Sequence, residues 1–139
     1  MLMEEKCVLV ADSSLPAGVL ANTAAILGVT LGARFPQAVG PDVTDGSGAL
    51  HPGIITLPIP VLKSNAAGLR ALRSRLGEPP FETVFAADFS DVARRCRTYP
   101  EYISSAAGTP EREFTYLALL LWGPKEQINR LTGSLPLLR

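Results

Sequence analysis

Histidine is nearly missing from this chain of 139 residues, where His51 is the only one. A multi-histidine metal centre is thereby excluded. Cysteine is also scarce. Cys7 and Cys96 form no CxxC pair and lie in apolar-periodic segments. They read as buried thiols of a cytoplasmic protein, not as a disulfide or metal ligands. Neither GxGxxG nor a Walker pattern occurs, which removes the common phosphate-binding loops. Charged residues make up only 19%, and 13 basic residues balance 13 acidic ones. A net charge of zero gives no field to gather nucleic acid, so that partner class is not expected. The opening "MLMEEKCVLVAD" sets an acidic pair before a short apolar run, which is not a signal peptide. There is no internal repeat and no low-complexity segment.

What the chain does have is apolar surface. Hydrophobic residues reach 47%, and the mean hydropathy is +0.21 in a chain of 14.8 kDa. One domain spanning residues 1–139 is expected, with part of its surface against another chain, most simply a second copy in a homodimer. The stretch Pro16–Ala33 carries no charged residue and is nearly long enough to cross a membrane. It also holds Pro16, three glycines, Asn22 and two threonines, and it follows a strand-like run directly. A helix covered by a sheet on one side and by a second layer or subunit on the other explains it better than a membrane span.

Periodicity then divides the chain. "KCVLVA", Lys6–Ala11, reads as a buried strand ending at Asp12-Ser13-Ser14. Pro16 suits a first helical turn, and Val19, Leu20, Thr23, Ile26, Leu27 and Leu31 form one stripe. Arg34–Gly53 is loop-like, with Asp45-Gly46 and Gly48 favouring a small hairpin. Ile54–Leu62 is apolar but broken by Pro58 and Pro60, so it reads as an edge or broken strand. Ser64 or Asn65 caps a helix that Gly77 ends. Thr83–Phe89 is a third strand, and Ser90 or Asp91 opens a short helix. Thr98 and Glu101 have capping-box spacing for another helix closed by Gly108. Glu113–Trp122 reads as a central strand, and Pro124 to Gly133 bounds the last helix. Strand and helix alternate, which predicts an α/β fold with helices on both faces of a small, partly parallel sheet. The greasy close Leu135, Leu137 and Leu138 is expected to return along the body and cover apolar surface.

Ligands of such sheets sit beyond the carboxyl ends of strands. That rim would offer Asp12, Ser13, Ser14, Asp88, Ser90, Gly123 and Lys125. Asp88, ending a strand beside a helix start, is a candidate for orienting a ligand or acting as a base. His51 is a second candidate base. Asp42, Asp45 and His51 share a loop, but their spacing fits no standard metal site. No metal or cofactor is expected. Arg94, Arg95 and Arg97 form a short basic cluster, with Tyr99 and Tyr102 following.

Several stretches carry a resemblance. "KCVLVADSSLPAG" before an alanine-rich helix, "FAADF", and the closing "WGPKEQINRLTGSLPLL" are similar to the type II peptidyl-tRNA hydrolases. The motifs "LPAG", "GPDV", "HPGI", "LPIPVL" and "LTGSLPLLR" resemble more closely the uncharacterised Domain of Unknown Function 2000 family. The resemblance implies the hydrolase II fold, a three-layer α/β/α sandwich around a four-stranded mixed sheet. Asp88 matches the hydrolases' aspartate, and Thr98 is one candidate for the threonine that follows it. The hydrolases' first-helix lysines have no counterpart in Gly18–Ala25, where Asn22 is the one amide. Peptidyl-tRNA hydrolysis is therefore not expected. The reading that follows is a small-molecule binder whose cleft is lined by Asp12, Ser13, Asn22, Asp88, Thr98 and Tyr99, with His51 alongside. The alternative is a hydrolase of another ester or amide, with Asp88 or His51 as base.

Overall fold

The computed structural model describes residues 4–139. Met1–Met3, part of the opening read above, lie outside the described residues. Among the described residues, six strands and five α-helices follow in order: β1 (Glu5–Asp12), α1 (Ala17–Arg34), β2 (Val43–Thr44), β3 (Leu50–His51), β4 (Val61–Ser64), α2 (Ala66–Leu76), β5 (Phe85–Ser90), α3 (Asp91–Arg94), α4 (Tyr99–Ala107), β6 (Tyr116–Pro124) and α5 (Lys125–Thr132). Four of the strands make one mixed sheet in the order β4-β1-β6-β5, while β2 and β3 form a separate two-stranded ribbon. β1 runs parallel to β4, and β6 is antiparallel to both β1 and β5. β6 lies between two strands, as its unbroken apolar run predicts, and every residue from Tyr116 to Leu121 is buried.

Strand alternation divides the core. Val8 and Val10 point towards Leu69, Leu72 and Leu76 of α2 and Ile128 and Leu131 of α5. Cys7, Leu9 and Ala11 point the other way, onto Leu27 and Leu31 of α1. The alternation slips once in β6, where Leu117 is skipped in the pairing with β5 and both Leu117 and Ala118 face α1. Helices therefore cover both faces of the sheet.

The helix ends follow local rules. Asn65 Oδ1 accepts from Gly68 N at 2.8 Å, and Thr98 Oγ1 accepts from Glu101 N at 3.2 Å. Ser90, not Asp91, caps α3. A Cβ on Gly68 would lie 2.2 Å from Ser64 Oγ, so a larger residue there would require the Ser64 hydroxyl to rotate away.

Two parts of the sequence reading change. The strand expected over Ile54–Leu62 contracts to Val61–Ser64. Its proline-rich approach stays extended, and Pro60 O accepts from Leu9 N at 2.9 Å. The rim is also smaller than the alternation implies. Because β6 runs against its neighbours, its carboxyl end lies at the other end of the sheet, where Pro124 is opposite Glu5. Gly123 and Lys125 are therefore remote from Asp12, and Lys125 N donates to Glu4 O at 2.8 Å.

The motifs find one another in space. Gly40 of "GPDV" donates its N–H to Ile54 O of "HPGI" at 2.9 Å, and Asp42 Oδ1 accepts from Gly53 N at 3.0 Å. A Cβ on Gly53 would lie 1.8 Å from Gly40 O. The tail meets "LPIPVL" likewise. Lys63 N donates to Pro136 O at 2.9 Å and Leu138 N to Val61 O at 2.8 Å, so the tail closes the β4 edge. Leu135 packs against the α2/α5 core, whereas Leu137 is half exposed and contributes through its backbone bridge to Leu62.

Candidate functional site

β5 is the unpaired edge of the sheet on its far side. After Ser90 caps α3, the chain turns outward through Arg95–Arg97 and enters α4 at Thr98. No residue of α4 is fully buried, so the helix stands away from β5 and leaves space beside the edge strand. A cavity of about 500 Å³ occupies that space, bounded by Ile26, Thr30 and Arg34 of α1, by Phe85–Phe89 of β5, and by Cys96–Tyr99 with Tyr102. The α1 residues recur every fourth position, which sets them in one row along the helix. At one end Arg34 stacks over the Phe85 ring, 4.7 Å from its centre. Phe35 meets Phe85 edge-on at 5.3 Å and stacks on Trp122 at 5.0 Å. That aromatic cluster fixes the carboxyl end of α1 against the sheet.

Asp88 is the half-buried acid of this cavity. Among the described residues, none hydrogen-bonds or pairs with its carboxyl. Burial pushes its pKa up; Arg73 opposes that shift and Glu111 adds to it. Tyr102 is shifted upward as well, first by burial and then by Asp88. The Tyr99 and Tyr102 rings meet edge-on at 5.7 Å. Cys96 Sγ donates to Val92 O at 3.2 Å.

The neighbouring acid Glu111 is occupied. Glu111 takes hydrogen bonds from Arg70 and from the Tyr116 hydroxyl, the latter at 2.5 Å. These bonds hold its carboxyl below the ordinary range, while burial and then Glu111 push Tyr116 up to about 12. Arg70 also donates to Phe114 O and, at 3.0 Å, to Glu111 O. Among the described residues, Asp88 is thus an acid without a hydrogen-bond partner near a fully partnered one.

The structure brings together only part of the predicted cleft. Asp88, Thr98 and Tyr99 line one cavity. Asp12 does not join them. Its Oδ1 accepts from Ser14 N at 3.0 Å and Ser14 Oγ at 2.7 Å, closing its own turn. Ser13 donates from its N and Oγ to Ser64 O, at 3.2 and 3.4 Å, and stitches β1 to β4. Asn22 is exposed, one turn before Ile26 on the same row, outside the lining. His51 lies on the β2–β3 ribbon, also outside the lining, with Nε2 2.8 Å from Asp45 Oδ2. His51, then Ser47 and Ala49, hold the Asp45 carboxyl far below the usual carboxylate range. Among the described residues, no cluster of three His, Cys, Asp or Glu side chains could hold a metal. The basic cluster divides: Arg97 reaches this cavity, while Arg94 and Arg95 line a separate hollow with Leu15, Asp91 and Leu117.

Sequence reasoning missed Ile26, Thr30, Arg34 and Cys96. The sequence reading placed Ile26 in the inner stripe of the helix, whereas it lines the cavity in one row with Thr30 and Arg34.

No curated protein matches the chain. A solved structure of a protein of unknown function from Agrobacterium tumefaciens strain C58 has the same fold, with a TM-score of 0.86 at 15% identity over 98% of each chain. The family profile described as protein of unknown function, DUF2000, matches residues 5–139, and the chain belongs to that family.

Proposed function

We propose that this protein binds a small molecule in the cavity along β5, with Asp88 as its anchor. One observation carries the reading: Asp88, whose half-buried carboxyl has no hydrogen-bond or ion-pair partner among the described residues, lines a cavity of about 500 Å³. Small-molecule sites commonly measure about 300–1,000 Å³. An ionised carboxylate is costly to bury unless a donor or cation meets it, and a ligand N–H or ammonium group would supply that donor. Tyr99, Tyr102 and Phe85 offer aromatic surface for a planar body, and Arg34 and Arg97 offer positive charge for an anionic substituent. The favoured ligand is therefore a compact molecule with an N–H donor and an acidic group. Peptidyl-tRNA hydrolysis finds no support, because α1 has no cation before Arg34. Descent from the type II peptidyl-tRNA hydrolase fold remains part of the proposal, supported by the mixed sheet, by helices on both faces and by Asp88 at the matching strand. Work in the cytoplasm is supported by two free cysteines, with burial pushing the Cys7 thiol up to about 11.

Thermal shift and calorimetry with a panel of amino acids, nucleosides and nucleotides test this reading. A ligand should raise the melting temperature of the wild type by several degrees. The ligand-induced shift should vanish in Asp88→Asn and in Thr30→Trp, which fills the cavity from an exposed helix position. A panel without a single stabiliser, or a stabiliser equally effective on both variants, overturns it.

A further inference from the structure

Of the eighteen residues of α1, only Thr23, Leu27 and Leu31 are fully buried. Ala17, Ala21, Ala25, Val29 and Ala33 recur every fourth residue and are all exposed. Val29 is 75% exposed, and the helix carries one charge, Arg34 at its last position. Beside it, the 39–55 loop exposes Val39, Val43, Leu50 and Ile54, the last at 79%. A cavity of about 230 Å³ between Gly28, Gly32, Val39 and Ile55 joins the two patches. A Cβ at Gly18, Gly28 or Gly32 would meet nothing within 4 Å. Glycine inside a helix costs about 1 kcal/mol relative to alanine, and packing within the chain gives no reason for bearing that cost three times.

We infer that this face is the contact between two copies of the chain, related by a two-fold axis across α1. The alanine row forms a low ridge that lets two helices pack closely, and the 230 Å³ hollow receives an apolar side chain of the partner. Charge selects the occupant. Two copies of an uncharged face meet without like-charge repulsion. An anionic membrane surface would instead call for a row of cations beside the apolar face, and α1 supplies only Arg34. Area sets the extent. An 18-residue helix is about 27 Å long and presents a strip of roughly 270 Å², whereas a stable pair buries about 800 Å² per partner. The contact must therefore include the 39–55 loop, where the other exposed apolar residues lie.

Light scattering and sedimentation velocity at about 50 µM test the inference on the full chain. The wild type should have twice the 14.8 kDa mass of one chain. Val29→Arg and Ala25→Arg should be folded by circular dichroism and have the mass of a single chain. Neither residue lines the Asp88 cavity, so the result does not depend on ligand binding. A single-chain mass for the wild type overturns the inference, and so does a dimeric mass for a folded Val29→Arg or Ala25→Arg protein. If neither variant folds, the face is needed within the chain and the inference fails. Co-sedimentation of the wild type, as single chains, with phosphatidylglycerol vesicles would also overturn it by assigning the face to lipid.

Discussion

On one side of the sheet, α2 and α5 bury Leu69, Leu72, Leu76, Ile128 and Leu131 and turn Arg75, Lys125, Glu126 and Arg130 to water. On the other side, α1 buries three residues of eighteen and exposes alanine, glycine and valine. The two faces pack onto the sheet by the same alternation of strand residues but differ in what they show outward. The α2/α5 face is complete in a single chain, with apolar residues inside and charges outside. The α1 face is complete only on its inner side. It also borders the cavity, since Ile26, Thr30 and Arg34 lie on the row beside the exposed alanines. A helix with a cavity on one flank and exposed alanine and valine on its back lacks the usual charged exterior.

The largest effect should come from breaking the complete face. Ile128 is fully buried among α2, β1 and β6 residues, and Ile128→Ala should cost about 2–5 kcal/mol of unfolding free energy. Val29→Ala, made in the monomeric Ala25→Arg background, should change that free energy by less than about 0.5 kcal/mol. Urea unfolding with a shared m-value measures both. Comparable costs at the two positions would mean that the two faces do not differ.

The second effect is at the β4 edge, which belongs to neither helical face. Deleting Ser134–Arg139 removes the two backbone bonds to Val61 and Lys63 and the packing of Leu135. A loss of about 2–3 kcal/mol is expected, read as a lowered melting temperature. An unchanged melting temperature would mean that the tail is dispensable to the sheet.

Local chemistry made much of this frame legible in the sequence. The Thr98–Glu101 spacing, Asn65 and Gly108 marked helix ends because capping is settled within four residues. The run through Tyr116–Leu121 marked a central strand because burial on both faces leaves no polar side. What stayed hidden depends on long-range pairing. No local signal says that β6 runs against β1 and β5, so Gly123 and Lys125 were grouped with a rim they do not reach. The site followed the same division. Asp88, Thr98 and Tyr99 were legible because they are close in sequence and lie on adjoining elements. Ile26, Thr30 and Arg34 come from another element, and their approach to β5 is a tertiary fact. Asp12, Ser13 and His51 looked chemical because they are polar, yet each is occupied by a hydrogen bond to its own turn, ribbon or neighbouring strand.

The smallest effect, and the one opposite in sign, concerns Asp88 on the edge strand that borders the cavity. Its pKa is raised in the folded protein by burial. In the unfolded chain a carboxyl of this kind titrates near 3.9. Above that value the folded state holds the proton more tightly, so it binds more protons than the unfolded state, and stability falls as pH rises towards the folded pKa. Once Asp88 has ionised in both states the deficit stays constant. Asp88→Asn removes the titration and keeps the shape, so it should match the wild type most closely in acid and exceed it in melting temperature at neutral pH. The gap should open above about pH 4 and then level. A bound cation or N–H donor satisfies the same carboxylate, so saturating ligand should raise the wild type towards the variant and leave the variant unmoved. If Asp88→Asn were instead less stable than the wild type at pH 7, the carboxylate would already have a partner within the fold. The cavity would then lose the unmet charge that distinguishes it from an ordinary gap beside an edge strand.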